Sequence, residues 1–177
     1  MLDQVLDIFN IKPDIDLDIM KPGQDLFDIT IKILDLMKQV LKKENPDLVL
    51  VHGDTSSCFA ASLAAFYLKI PVGHVEAGLR TNDMYAPFPE EFNRQITGKL
   101  ATLHFTPTEL TRTNLIDEKI NERNIYITGN TVIDSLKIIK KRIESSQDES
   151  IKLSKFFENI LDFDVCSSKY ILITGHR

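Results

Sequence analysis

The chain has 177 residues, 43% of them hydrophobic and 27% charged, with a formal net charge of -5. A chain of this length can bury one core and at most part of a second, and its acidic balance gives no basic surface for nucleic acid. Because it has no apolar run of about 18 residues, and no basic and apolar regions at its start, we expect neither a transmembrane helix nor a signal peptide.

The first half of the sequence alternates helical and strand patterns. Apolar residues at helical spacing predict helices, continuous apolar runs predict strands covered on both faces, and the hydroxyl residues over 55–57 are suited to capping a helix. The predicted elements are helices over 1–9, 24–43 and 55–68, strands over 48–51 and 70–75, and a loop or short edge segment over 10–23.

The second half continues the same alternation. Its predicted elements are helices over 89–101, 108–118, 131–144 and 151–160, strands over 103–106, 125–128 and 169–174, and a polar linker over 145–150. The two cysteines, Cys58 and Cys166, are far apart in the sequence, and we expect them to be reduced thiols in the cytoplasm. The pattern as a whole predicts an α/β protein with a parallel sheet.

Two histidine–acid pairs follow neighbouring predicted strands. His52 and Asp54 are two residues apart, and His74 and Glu76 repeat that spacing. Because residues i and i+2 face the same side of a strand, the pairs are expected to converge on one crevice. Imidazole and carboxylate suit Zn or Mn, so a metal-dependent hydrolase is one hypothesis. The alternative is that the histidines pack near the strand ends and only the acids face a ligand.

Three acids form a second predicted group. Asp54, Glu76 and either Glu90 or Glu91 lie where loops meet the carboxyl edge of the predicted sheet, and open α/β sheets bind ligands there. Glu90 is placed in the first turn of a helix, where the macrodipole favours an ionised carboxylate, and Arg94 can pair with it across one turn. This pattern suits a base or an ion pair, while surface capping remains the structural alternative. The sequence has neither a GxGxxG fingerprint nor a Walker loop.

Five segments together resemble the non-hydrolysing UDP-N-acetylglucosamine 2-epimerases. They are HGDT at 52–55, HVEAGLRT at 74–81, PFPEEFNR at 87–94, TGNTVID at 128–134 and TGHR at 174–177. Each segment alone is a weak signal, but the five in the family's order are specific. The resemblance implies a Rossmann-like parallel sheet that is part of the N-terminal half of a two-domain fold like that of the B-type glycosyltransferases.

The resemblance also implies a reaction: UDP-N-acetylglucosamine is converted to UDP-N-acetylmannosamine without nicotinamide or an essential metal. It assigns catalytic positions to Asp54, Glu76, Glu90 and His176, and substrate contacts to His52, Arg94 and Arg177; we expect Glu91 to matter less. The implied partners are a UDP-sugar and, in the full-length family, a second copy in a homodimer; neither a membrane nor nucleic acid is expected.

The family's opening strand and its Gly-Thr-Arg-Pro-Glu turn are absent, and so is its second half. We therefore expect an interior piece of an epimerase that is inactive alone. Residues 1–145 would be a partial N-terminal domain, 146–168 an interdomain linker, and 169–177 the first strand of a second domain. Other hypotheses are a degenerate non-catalytic fragment and a glycosyltransferase of the same fold.

Overall fold

Four parallel strands form one sheet in the computed structural model, which describes residues 2–165 and 167–174. The strands lie in the spatial order β1-β2-β3-β4, so each pairs with its neighbour in sequence through a helical or looped crossover. The strands are β1 (Val49–His52), β2 (Val72–Val75), β3 (Leu103–Thr106) and β4 (Ile125–Ile127). This arrangement confirms the predicted α/β class with a parallel sheet.

Seven helices accompany the sheet in the described residues. They are α1 (Leu2–Phe9), α2 (Leu26–Glu44), α3 (Ser56–Tyr67), α4 (Glu90–Leu100), α5 (Glu109–Asp117), α6 (Thr131–Ser145) and α7 (Gln147–Glu158), with a 3₁₀ turn at Glu122–Asn124. Among these helices, α3 and α5 start at hydroxyl caps: Thr55 Oγ1 accepts the Cys58 amide at 3.3 Å before α3, and Thr108 forms a capping box before α5. None of these helices has the length and apolar character needed to cross a bilayer.

The main core lies where α2 and α3 cover the first two strands. Ile33 and Leu41 are the buried residues of α2. The core cluster consists of Leu41, Val51, Cys58, Ala64, Ala65 and Val72. Small residues in α3 allow close helix–sheet packing, and burial of this apolar surface provides the driving force for the fold.

The carboxyl ends of the strands meet at one edge of the sheet. The main-chain amide that follows β1, Gly53 N, donates to Val75 O at 3.0 Å, and Ala77 N donates to Phe105 O at the same distance. Each residue that leaves a strand is thus still bonded to the neighbouring strand. The loops at this edge consequently start from fixed backbone positions.

The chain divides into two compact units at Gly129–Asn130, and α6 and α7 belong to the second. The segment 145–150, predicted as a polar linker, is largely helical, because α6 ends at Ser145 and α7 begins at Gln147. Ser146 Oγ accepts the Glu149 amide at 3.3 Å, and Arg142 Nε donates to Glu149 at 2.7 Å. The polar composition that suggested a linker is therefore that of a helix N-terminus.

The predicted strand over 169–174 is also wrong for the described residues, since these six residues have no regular secondary structure. Ile171, Leu172 and Ile173 are 88%, 79% and 86% exposed. A strand needs a hydrogen-bonding neighbour, and the described residues of the second unit include no strand that could provide one. The apolar run alone therefore does not produce a strand.

Candidate active site

Asp54 lies at the carboxyl edge of the sheet, directly after the turn that ends β1. Gly53 makes this turn with a φ of +78°. Asp54 Oδ2 lies 2.7 Å from Arg94 Nη2, in an ion pair whose side chains are 27% and 12% exposed respectively. The main-chain carbonyl of Asp54 accepts a hydrogen bond from Asn93 Nδ2 at 2.8 Å. Helix α4 therefore holds Asp54 through both its backbone and its carboxylate.

Glu76 lies beside the same turn, at the end of β2. Its Oε2 is 3.4 Å from His52 Nε2, and both side chains are partly exposed. A Cβ atom added to Gly53 would lie 3.6 Å from this oxygen. Glu76 has a φ of +66°, in the left-handed region that residues other than glycine seldom adopt. The carboxylate of Glu76 therefore packs against the turn that carries Asp54, with His52 next to it.

His74 is fully buried and lies beneath the turn. Its Nε2 is 2.8 Å from Gly53 O, and because a carbonyl oxygen can only accept, Nε2 carries the proton. The thiol of Cys58 donates to the same carbonyl at 3.1 Å. Burial lowers the pKa of His74 from 6.5 to about 4, so its ring is neutral near pH 7. His74 and Cys58 support the turn from inside.

Of the two alternatives for the histidine–acid pairs, the metal hypothesis is therefore wrong for the described residues. In residues 2–165 and 167–174, no group of three His, Cys, Asp or Glu side chains is placed to hold a metal ion. His74 lies inside a strand and points into the interior. Glu76 lies beyond that strand, where its positive φ breaks the two-residue alternation of side chains.

Glu90 and Glu91 begin α4 in different environments. Glu90 is partly exposed, and among the described residues its carboxylate has no hydrogen bond or ion pair. Glu91 is 0% exposed, and it accepts the main-chain amides of Thr81 and Asn82 at 3.0 and 3.2 Å. Burial by itself would raise the pKa of Glu91, but the hydrogen bonds from Gln95, Thr81 and Asn82 lower it below its usual value. Glu91 is consequently a buried, ionised carboxylate.

A second buried ion pair lies behind the site. Arg80, whose side chain is 2% exposed, donates from Nε and Nη2 to the two oxygens of Glu118 at 2.5 and 3.1 Å. His104 is 1% exposed. Burial, followed by the positive charge of Arg80, lowers the pKa of His104 to about 4. The Arg80–Glu118 pair joins the end of α5 to the loop after β2, and sequence reasoning identified neither this pair nor the burial of His104.

The remaining predicted site residues, His176 and Arg177, lie outside the described residues. Near α4 the structure contains a cavity of about 670 Å³ with a largely apolar lining. Its walls include Phe27, Phe59, Met84, Tyr85, Phe88 and Phe92. The pairing of Phe59 with Phe92, with ring centroids 5.6 Å apart, connects this cavity to the same helix that carries Arg94.

Sequence reasoning missed the polar residues of α4 that hold the site together. Asn93 and Gln95 flank Arg94, and they bond to the Asp54 backbone and to Glu91 respectively. The feature that could have identified them is the buried face of α4, which consists of Glu91, Asn93, Thr97 and Gly98. An apolar-stripe criterion cannot find such a face, since its buried side chains are mostly polar.

The arrangement can support proton transfer next to a bound anion. Asp54 and Glu76 are two separate, partly exposed carboxylates at adjacent strand ends, and either can accept or donate a proton at a positioned substrate. Arg94 supplies a fixed positive charge beside Asp54. His52 supplies a second ionisable group beside Glu76.

Comparison with known proteins identifies the same family across the chain. Residues 1–177 match the family model described as UDP-N-acetylglucosamine 2-epimerase. UDP-N-acetylglucosamine 2-epimerases of Yersinia pestis and of Escherichia coli strain K12 are each 54% identical to this chain over 177 residues. The match includes all of this chain and 46% of each relative, so the chain spans about half the length of the curated relatives it matches.

Solved structures give the same result. UDP-GlcNAc 2-epimerase from Neisseria meningitidis, crystallised with UDP-GlcNAc, is 51% identical and matches with a TM-score of 0.84 over 92% of this chain and 44% of that one. The Methanocaldococcus jannaschii UDP-GlcNAc 2-epimerase, solved with UDP-GlcNAc and UDP, is 37% identical with a TM-score of 0.79, over 89% of this chain and 41% of that one.

Proposed function

Because the chain belongs to the UDP-N-acetylglucosamine 2-epimerase family, we propose that its residues serve the interconversion of UDP-N-acetylglucosamine and UDP-N-acetylmannosamine. The observation that carries this proposal is the placement of Asp54 and Glu76 at adjacent strand ends, each next to a basic side chain. Asp54, Glu76, Glu90 and His176 are the proposed catalytic residues. His52, Arg94 and Arg177 are the proposed substrate contacts.

The chemistry requires acids and bases on opposite sides of the sugar. The C2 proton is not next to a carbonyl, so it becomes acidic only as the anomeric C–O bond to UDP breaks and positive charge grows at C1. Elimination gives UDP and a glycal, and re-addition with protonation on the opposite face inverts C2. A positioned proton-transfer group contributes about 10²–10⁴-fold. A carboxylate near C1 also stabilises oxocarbenium character.

The environments of the acids support their proposed roles. Asp54 and Glu76 retain 27% and 34% exposure of their side chains, and Glu90 is also partly exposed. A ligand can therefore reach all three. Glu91 is completely buried and cannot contact a sugar in this conformation. The guanidinium of Arg94 is suited to a diphosphate or to a carboxylate, since both bind its forked donors.

We test the proposal by proton NMR of the protein in D₂O with UDP-N-acetylglucosamine. The enzyme completed with the flanking parts of the Yersinia pestis relative should lose the C2 proton signal and give new UDP-N-acetylmannosamine peaks. In that protein Asp54→Asn, Glu76→Gln and Glu90→Gln should each slow turnover by about 10²-fold or more. Glu144→Gln, which changes an acid that is 64% exposed, is the control. A folded, completed protein without C2 exchange would refute the proposal.

The 177-residue chain alone should show no exchange, since it corresponds to 46% of its relatives. We propose that residues 1–145 belong to the N-terminal domain, 146–168 connect the domains, and 169–177 begin the second domain. The exposed apolar run Ile171–Ile173 supports this division. Amides of 171–173 should become protected from hydrogen exchange when the second half is added, and continued rapid exchange would contradict the proposed division.

We also propose a cytoplasmic location and a homodimer for the complete protein. The buried, unpaired thiol of Cys58 suits a reducing compartment. Exposed aromatic surface near α4, with Tyr85 80% and Phe27 76% exposed, suits burial against a second copy. Sedimentation equilibrium of the completed enzyme tests the dimer, and a monomer at micromolar concentration would contradict it.

A further inference from the structure

The carboxylate of Glu91 contacts four donors although no solvent reaches it. Oε1 accepts from the Asn82 amide at 3.2 Å and from Gln95 Nε2 at 2.8 Å. Oε2 accepts from the Thr81 amide at 3.0 Å and lies 3.5 Å from Arg94 Nη1. A fully buried carboxylate is costly unless its oxygens are satisfied; here Oε1 accepts two hydrogen bonds, and Oε2 accepts one and forms the ion pair with Arg94.

The guanidinium of Arg94 lies between two carboxylates. Nη1 faces Glu91 and Nη2 faces Asp54 at 2.7 Å. The third nitrogen, Nε, is buried and has no hydrogen-bond partner among the described residues. The orientation of the guanidinium therefore depends on these two acids. Of the two, the Glu91 carboxylate is fully buried and held by main-chain amides, whereas the Asp54 side chain is 27% exposed.

The same carboxylate also fixes the loop that follows β2. Thr81 and Asn82 bond to Glu91 through their amides, and Thr81 Oγ1 donates to Ala86 O at 2.6 Å across the loop. Glu91 thus connects three parts of the site: the loop, α4 and, through Arg94, the Asp54 carboxylate. Its neighbour Glu90 makes none of these contacts among the described residues.

We propose that Glu91 is a positioning residue, which holds the Arg94 guanidinium in place against Asp54. The proposal rests on the proposed function for its meaning in catalysis, since Arg94 and Asp54 are the groups that would face the substrate. It differs from the sequence prediction that Glu91 matters less than Glu90. Glu91 would act without touching the sugar, through the fixed position of a cation.

The test follows Arg94 itself in the 177-residue chain, without substrate. The chain is prepared with ¹⁵N-labelled arginine, and the Arg94 Nε–H signal is assigned by its loss in Arg94→Lys. Because Nε is buried, its hydrogen exchange should be slow in the wild-type chain. Glu91→Gln replaces one oxygen by an amide that would face donors, and should speed this exchange by at least about 10-fold. Unchanged protection of Arg94 would overturn the proposal.

A matched control exists in α5. Glu109 and Arg112 have the same spacing as Glu91 and Arg94 and lie 3.6 Å apart, but Glu109 is 75% exposed. Glu109→Gln should leave the Arg94 signal unchanged. If Glu91→Gln speeds exchange only at the Thr81 and Asn82 amides, Glu91 holds the loop and not the cation, and the proposal is also overturned.

A second variant decides the case if Glu91→Gln does not fold. Asp54→Asn removes the other partner of Arg94 at a partly exposed position, and Glu91 should then keep Nε–H protected. Loss of protection in Asp54→Asn would assign the holding role to Asp54 and refute the proposal. Since substrate is absent throughout, these results are independent of epimerisation. A completed protein with Arg94 held as described but without C2 exchange would refute the proposed function alone.

Discussion

The two buried histidines make the fold sensitive to mild acid. The pKa values of His74 and His104 both lie at about 4 in the folded chain, below the ordinary value of 6.5, chiefly because the rings are buried. Well above pH 6.5 both rings are neutral in the folded and unfolded chains. Between pH 6.5 and 4 the unfolded chain binds protons that the folded chain excludes, so the free energy of unfolding falls as the pH falls.

The size of the effect follows from the two pKa values. At pH 5 each histidine should lower the free energy of unfolding by about 2 kcal/mol, and the pair by about 4 kcal/mol. This is a large part of the free energy of unfolding of a typical domain, which is roughly 5–15 kcal/mol. The pKa values of Glu91 and Glu118 are lowered in the folded chain. Their contribution to stability is therefore present above their ordinary value of 4.5 and lost mainly below it.

Urea unfolding followed by circular dichroism at pH 7 and pH 5 measures this difference. In His104→Gln the free energy of unfolding should fall between pH 7 and pH 5 by about half as much as in the wild-type chain. This comparison does not depend on how much the substitution itself destabilises the chain at pH 7. His52→Gln, which changes a histidine whose side chain is 56% exposed, is the control and should keep the full drop. Equal drops in wild type and His104→Gln would show that the reasoning from burial is wrong.

Three further predictions concern packing, an ion pair and helix capping. Gly78→Ala should destabilise the chain by about 3 kcal/mol or more, because the new Cβ would lie 2.1 Å from Thr111 O. The control Gly23→Ala has a similar φ of +79° but no atom within 4 Å, and it should cost only about 1 kcal/mol. Equal losses of unfolding free energy in urea would show that the clash at Gly78 is not the cause. Glu118→Gln should cost about 3 kcal/mol, since Arg80 is left buried without a charged partner; a loss below about 1 kcal/mol would mean that this pair behaves like a surface one. Thr55→Ala removes the cap of α3 and should lower the free energy of unfolding by about 1 kcal/mol; an unchanged thermal midpoint would contradict that role.

Most of the first unit could be predicted from local sequence signals. The strand over 103–106 is observed with the predicted bounds, and α3 starts after Thr55 as its capping chemistry indicates. These elements have continuous apolar runs or hydroxyl caps, whose effects are local. The predicted positions of Asp54 and Glu76 after adjacent strands depend on the same signals.

The features that escaped prediction depend on contacts distant in sequence. Glu91 is buried because amides ten and nine residues earlier in the chain meet its two oxygens, and periodicity does not report such a contact. His74 belongs to one of the histidine–acid pairs, but its Nε2–H donates a hydrogen bond to the Gly53 carbonyl, 21 residues away in sequence, and this contact holds the ring in the interior. The apolar residues at 171–173 satisfy the strand pattern without a neighbour to pair with. The local sequence indicates which secondary structure a segment can form, and a contact with a residue distant in sequence determines whether it forms.

The left-handed backbone conformation of Glu76 lowers the stability of the fold at a residue whose side chain is proposed to be catalytic. A residue other than glycine with a φ of +66° gives up stability of about 1 kcal/mol or more, and glycine or asparagine would occupy this conformation more easily. Selection of variants for thermal resistance alone would therefore favour replacement of Glu76, although its carboxylate is a proposed catalytic group. Replacing Glu76 by glycine or asparagine would raise the melting temperature, but it would remove the carboxylate that we propose takes part in catalysis. A library designed to harden the protein should keep Glu76 constant.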